Sequence, residues 1–142
     1  MRRQESMLRL KRFKVEEMAR QLSTLDAMRM DLERKLADLQ DAVARERQRS
    51  NDSDIGRLAF PSFLRSIESR REKINDSLKE IGRERAQCDT ELTAGRDELQ
   101  GLEFAAEQEA RRLAEAEARR SQSRLDEMAL LRHLRKHALR GT

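Results

Sequence analysis

The chain has 142 residues, of which 41% are charged and 3% aromatic, with no Trp or Tyr. A globular core needs more bulky apolar side chain than this, which leaves disordered chain or long amphipathic helices. The 31 basic and 27 acidic residues nearly cancel to +4, and one Pro and five Gly leave little to interrupt a helix, so the helical class is expected. A single Cys, Cys88, excludes an intrachain disulfide framework and suits a reducing compartment. No apolar stretch of signal-peptide length follows Arg2 and Arg3, and no run approaches the ~20 apolar residues of a membrane helix. A soluble cytoplasmic protein, at a membrane only through partners, is the expectation.

The first predicted element covers about residues 6–48. Leu8, Val15, Met18, Leu22, Leu25, Leu32, Leu36, Leu39 and Val43 fill nine of eleven consecutive slots spaced three and four apart, with Lys11 and Arg29 the exceptions. Such a heptad repeat keeps one narrow stripe facing a partner helix. The stripe stops before Arg45. Ser50-Asn51-Asp52-Ser53-Asp54 and Gly56 follow, a cluster of turn formers that predicts a loop over about 49–60.

The second predicted helix covers about 61–138, with Pro61 in its first turn, where a missing N–H is harmless. Its slots run from Phe60 through Leu64, Ile67, Ile74, Leu78, Ile81, Cys88, Leu92, Leu99, Leu102 and Ala106 to Leu113, interrupted by Arg71, Arg85, Gly95 and Glu109. Two heptad helices joined by a short loop zip together antiparallel, burying each stripe against the other. The expected fold is therefore all-α: a long two-helix antiparallel coiled-coil hairpin with a C-terminal helical overhang, one coiled-coil domain over 1–142. Two chains sharing these seams is the alternative. In the hairpin the first helix runs out opposite residues near 100–107, and there the second seam weakens: Glu109, Arg120, Ser123 and Glu127 fall in later slots. That agreement favours the single-chain hairpin. At ~1.5 Å per residue the helices span about 65 Å and more than about 100 Å, which makes a long rod. Gly82, Gly95 and Gly101 are read either as close helix approaches or bends, or as tolerated weak points costing about 1 kcal/mol each.

Charge gathers at the ends. Residues 1–14 hold six basic and one acidic residue, and 119–142 hold seven and two, a net of +5 each, so the shaft between is acidic. The hairpin brings both basic segments toward one end.

No catalytic set is visible, and a non-enzymatic protein without cofactor or metal is expected. His133 and His137 have a metal-compatible i, i+4 spacing, but Arg132, Arg135 and Lys136 would repel a cation and no Cys or carboxylate completes a site. Cys88 on the seam reads as a small buried hydrophobe. Glu16-Glu17 is a solvated face, and no Gly-rich phosphate loop occurs. The basic ends lack the aromatic interleaving and groove-reading motifs of nucleic-acid binders, so docking on acidic protein surfaces is preferred. The best candidate is Met128–Arg140, where Leu130, Leu131, Leu134 and Ala138 form a short apolar face flanked by charge. At the turn, Phe60 and Phe63 gather with Leu58, Leu64 and Ile67. Phe60 reads as a plug onto Leu39 and Val43; Phe63, beside the seam, is either plug or partner surface.

Leu8-Arg-Leu-Lys-Arg-Phe-Lys-Val-Glu-Glu17, the coil after it, and the return Ala59-Phe-Pro-Ser-Phe63 into a second helix resemble the bacterial flagellar export protein family FliJ. The likeness covers nearly the whole chain. It implies a soluble component of the flagellar type III export apparatus, an antiparallel coiled coil similar to the central stalk of rotary ATPases. Implied partners are the export ATPase FliI, whose hexameric ring the family enters and helps assemble, the cytoplasmic region of the export gate protein FlhA, and export chaperones. The implied location is cytoplasmic, peripheral to the inner membrane at the flagellar base. The gate contact would fall on Phe63 and Ile67; Arg70 stands where the family has a further apolar or small contact. The ATPase contact would fall on Arg9, Lys11, Arg12 and Phe13 with the C-terminal helix at Leu130, Leu134 and Arg135. The competing reading is a coiled-coil adaptor or secretion chaperone with no ATPase partner.

Overall fold

A computed structural model describes residues 2–140, which form two helices and, among the described residues, no strand. The first, α1, runs Arg2–Asp52 and the second, α2, Asp54–Arg140. They pack against each other as an antiparallel hairpin, which is the expected fold class. Two compact units are distinguished, one of Arg9–Asp97, the other of the residues up to Leu8 with those from Glu98 onward.

In the Arg9–Asp97 unit the predicted seams are the buried stripes. Every α1 slot from Lys11 to Val43 is buried or half-buried, including Lys11 and Arg29. Long aliphatic stems make such residues tolerable on an apolar stripe. On α2 the same holds from Phe60 to Gly95 except at Arg71, which turns to solvent and pairs with Glu68 at 4.0 Å. Leu25, Ile81 and Cys88 form a buried cluster, with Leu22 and Leu32 packed on it. Cys88 donates its S–H to the Met18 carbonyl at 3.4 Å, tying the two helices together. Burial pushes the Cys88 thiol up, and the nearby carboxylates of Glu91 and Asp89 add to that. Gly95 is buried beneath Val15 and Met18, and a Cβ there would lie 3.4 Å from Val15 Cγ2, an ordinary contact. Gly82 faces open space.

The turn is shorter than expected. In place of a loop over 49–60, Ser53 alone separates the helices, so α1 ends four residues later than anticipated and α2 begins seven earlier. Local hydrogen bonds explain the difference. Ser53 caps α2: its Oγ accepts from the Gly56 N–H at 2.9 Å, and its carbonyl accepts from the Arg57 N–H at 3.2 Å. Asp54 places a carboxylate in the first turn, where the helix dipole favours it. Ser50 is buried and satisfies its hydroxyl by donating to the Arg47 carbonyl at 2.7 Å. Pro61 consequently lies inside α2 and not in its first turn. It offers no N–H to the Arg57 carbonyl, and both residues are exposed, which leaves that carbonyl open to solvent.

In the second unit, Gln4, Glu5 and Leu8 of α1 face Ala106, Glu109, Ala110 and Leu113 of α2 around a shallow groove of about 130 Å³. The half-buried α2 slots continue to Ala116, beyond the expected 100–107, because the helices pair in a register that sets Gln4, Glu5 and Leu8 against Ala106 to Leu113. From Glu117 to Arg140 every residue is exposed. Gly101 faces open space.

Candidate docking surfaces

At the turn, Phe60 and Phe63 stack at 6.5 Å between ring centroids with planes 23° apart. The Arg47 guanidinium sits 5.9 Å over the Phe60 ring, a cation–π contact from the last turns of α1. Both rings are half-buried. Phe63 lies against Ala42, Arg45, Glu46 and Arg49, which form a shallow cleft of about 220 Å³. It thus has a packing role and keeps an open edge. Ile67 is buried on the seam, beside a groove of about 320 Å³ that Leu36, Leu39, Val43, Leu64 and the outward-turned Arg71 border. Its side chain serves the hairpin, and the surface around it belongs to neighbours. Arg70 is exposed and borders a second shallow groove with Lys35, Asp38, Leu39, Lys73 and Ile74.

Leu58 does not join the plug. With α2 starting at Asp54, Leu58 and Ile55 share its outer face and are 83% and 81% exposed. The signal was present as an off-seam i, i+3 pair, but a loop expected there hid it.

Along α1, Arg9, Arg12 and Phe13 are exposed, whereas Lys11 is half-buried on the seam. Leu10 and Met7 are exposed with them, which makes the outer face of this helix end basic and apolar together.

On α2, Leu130, Leu131, Leu134 and Arg135 are exposed. Between Met128 and Arg140 there are four Arg or Lys and no acidic residue. His133 and His137 meet edge to face at 4.8 Å between ring centroids. Among the described residues no group of three or more His, Cys, Asp or Glu could hold a metal ion. Nor is any described helix long and apolar enough to cross a membrane.

A polar layer crosses the seam midway along the Arg9–Asp97 unit. Arg85 donates to Asp26 at 2.5 Å, and Arg29 reaches the same carboxylate oxygen at 3.6 Å from within α1. The hydrogen bond and charge of Asp26 hold the Arg85 guanidinium above its ordinary value.

Compared with known proteins, the chain matches the family model described as flagellar FliJ protein over residues 1–138. No curated protein and no solved structure matches it.

Proposed function

Belonging to the flagellar FliJ family, this chain is an export-related flagellar protein, and we propose that it acts as one coiled-coil module linking the export ATPase ring to the export gate. FliI would be the ATPase, FlhA the gate, and export chaperones further partners, at the cytoplasmic side of the inner membrane at the flagellar base. The observation that supports a docking role is the uncovered helix from Glu117 to Arg140, with a net charge of +5 over 119–140 and leucines at 130, 131 and 134. A helix of this length stays uncovered at a cost unless a partner takes its apolar side. Basic charge also draws such a segment toward an acidic surface over long range. Arg9, Arg12 and Phe13 supply the same chemistry on α1.

The gate contact is assigned to the turn-proximal surface at Phe63 and Arg70, over the buried Ile67. Titrating the protein into FliI tests the ATPase half: enhanced hexamer formation and ATP hydrolysis, with co-elution, is expected. No change in any of the three would remove it. For the gate half, Arg70→Glu alters an exposed charge without touching the seam, whereas Phe63→Ala removes a half-buried ring. Both are expected to weaken binding to the FlhA cytoplasmic region at least about tenfold, with helicity retained. Loss of helicity in Phe63→Ala, with Arg70→Glu binding normally, would make Phe63 a plug only.

A further inference from the structure

The second helix carries another stripe, which α1 does not cover. Phe104, Ala114, Ala118, Leu125, Met128 and Leu139 fill six of eleven slots spaced three and four apart, off the seam slots Leu102, Ala106 and Leu113, with Glu107, Arg111, Ser121, Arg132 and Arg135 in the other five, and all six are exposed. Charge reverses along the same segment. Residues 98–117 hold six acidic and two basic residues, a net of −4, and residues 119–140 hold seven basic and two acidic, a net of +5.

This reversal selects the occupant of the stripe. A parallel copy would set like charge on like charge along the whole length. An antiparallel copy, related by a twofold axis between Ala118 and Ser121, sets each basic half on the other copy's acidic half, twice over. The stripe's register agrees. In an antiparallel pair each heptad seam position faces the other kind. With Ala118 opposite Ser121, Ala114 meets Leu125, Arg111 meets Met128, and Glu107 meets Arg132. Small faces large at the first of these layers and opposite charges face at the last. Glu107 now bonds Arg111 on its own helix at 2.9 Å, an exposed pair open to exchange.

We propose that residues 104–139 of α2 form a self-association surface that joins two copies of this chain antiparallel. The inference does not rest on the export reading, although it uses the same basic helix: Leu130 and Leu134 lie off this stripe, whereas Arg132 and Arg135 lie on it. It needs no exchange of α1 between chains.

Sedimentation equilibrium of the full chain from about 1 to 100 µM tests it. The expected result is a reversible monomer–dimer equilibrium whose dissociation constant rises about tenfold or more between 0.05 and 0.5 M NaCl. Glu107→Arg and Arg132→Glu should each weaken the dimer about tenfold, and the double variant E107R/R132E should restore it. In a Cys88→Ala background whose helicity is checked by circular dichroism, an oxidised mixture of Ala114→Cys and Leu125→Cys chains should form a covalent dimer, and neither variant alone should. A chain monomeric at 100 µM in low salt would overturn the proposal. So would a dimer indifferent to salt and to charge exchange, or crosslinking of Ala114→Cys alone, which signals parallel pairing. A monomer that instead sediments with phosphatidylglycerol vesicles would assign the stripe to lipid and equally overturn it.

Discussion

Single residues set how closely the two helices approach. Gly95 and Gly56 both sit against α1, with opposite consequences for a methyl group. At Gly95 an added Cβ meets Val15 and Met18 at ordinary contact distances, 3.4 Å and beyond. Gly95→Ala should therefore raise stability by about 1 kcal/mol, the helix-propensity difference, in a thermal or denaturant melt. At Gly56 the same atom would lie 2.9 Å from Ser53 Oγ, 3.1 Å from Ser50 Cα and 3.2 Å from the Arg49 carbonyl. Gly56→Ala should lower stability by about 1–3 kcal/mol, because the crowded atoms are backbone and the capping hydroxyl itself. Cys88 adds a pH dependence. Its thiol is held neutral in the fold, so the unfolded chain ionises first. Stability is whole below the ordinary thiol value of about 8.5 and declines as pH rises from there toward the elevated folded value. Cys88→Ala should lose that alkaline slope when the two proteins are unfolded between pH 7 and 10.

The elements themselves were largely legible in the sequence, because a heptad stripe is a long signal. Each slot on α1 named from spacing is at least half-buried, and so is each on α2 from Phe60 to Leu113 apart from Arg71. The turn was not legible. Ser50 to Asp54 is a run of turn formers, yet in context Ser53 caps, Ser50 bonds back to Arg47, and the others are absorbed as helix. Propensity is a weak prior that one cap and a packed pair of helices override. The misplaced loop also hid the exposed pair Ile55 and Leu58. Of the candidate docking residues, Leu130 and Leu134 followed from spacing and flanking charge, Phe13 came from the family resemblance, and the spacing also put Ile67 on the seam, where it is buried. The Asp26–Arg85 pair was invisible from sequence because Asp26 lies outside the seam slots and only the three-dimensional pairing brings it to Arg85. Both side chains are about one third exposed, so Asp26→Ala should cost no more than about 1 kcal/mol. Arg29→Leu should do the reverse and raise the melting temperature, since it replaces a seam guanidinium whose Nε is buried without a hydrogen bond.

For the whole molecule, protection should follow coverage. Amide exchange at about 1 µM protein and 0.5 M salt is expected to be slow over residues 15–43 and 64–95 and fast from about 118 to 140, where no side chain is covered. Uniform protection along α2 would contradict the uncovered state. The one-residue reversal at Ser53 has a consequence for how such a chain is edited over generations. Each residue added to either arm rotates everything beyond it by about 100°. A flexible loop would absorb that rotation; a junction of one capping serine has no slack to do so. Length changes survive only as whole sevens matched on both arms, so relatives of this protein should differ in size by paired heptads, or else at the free tail.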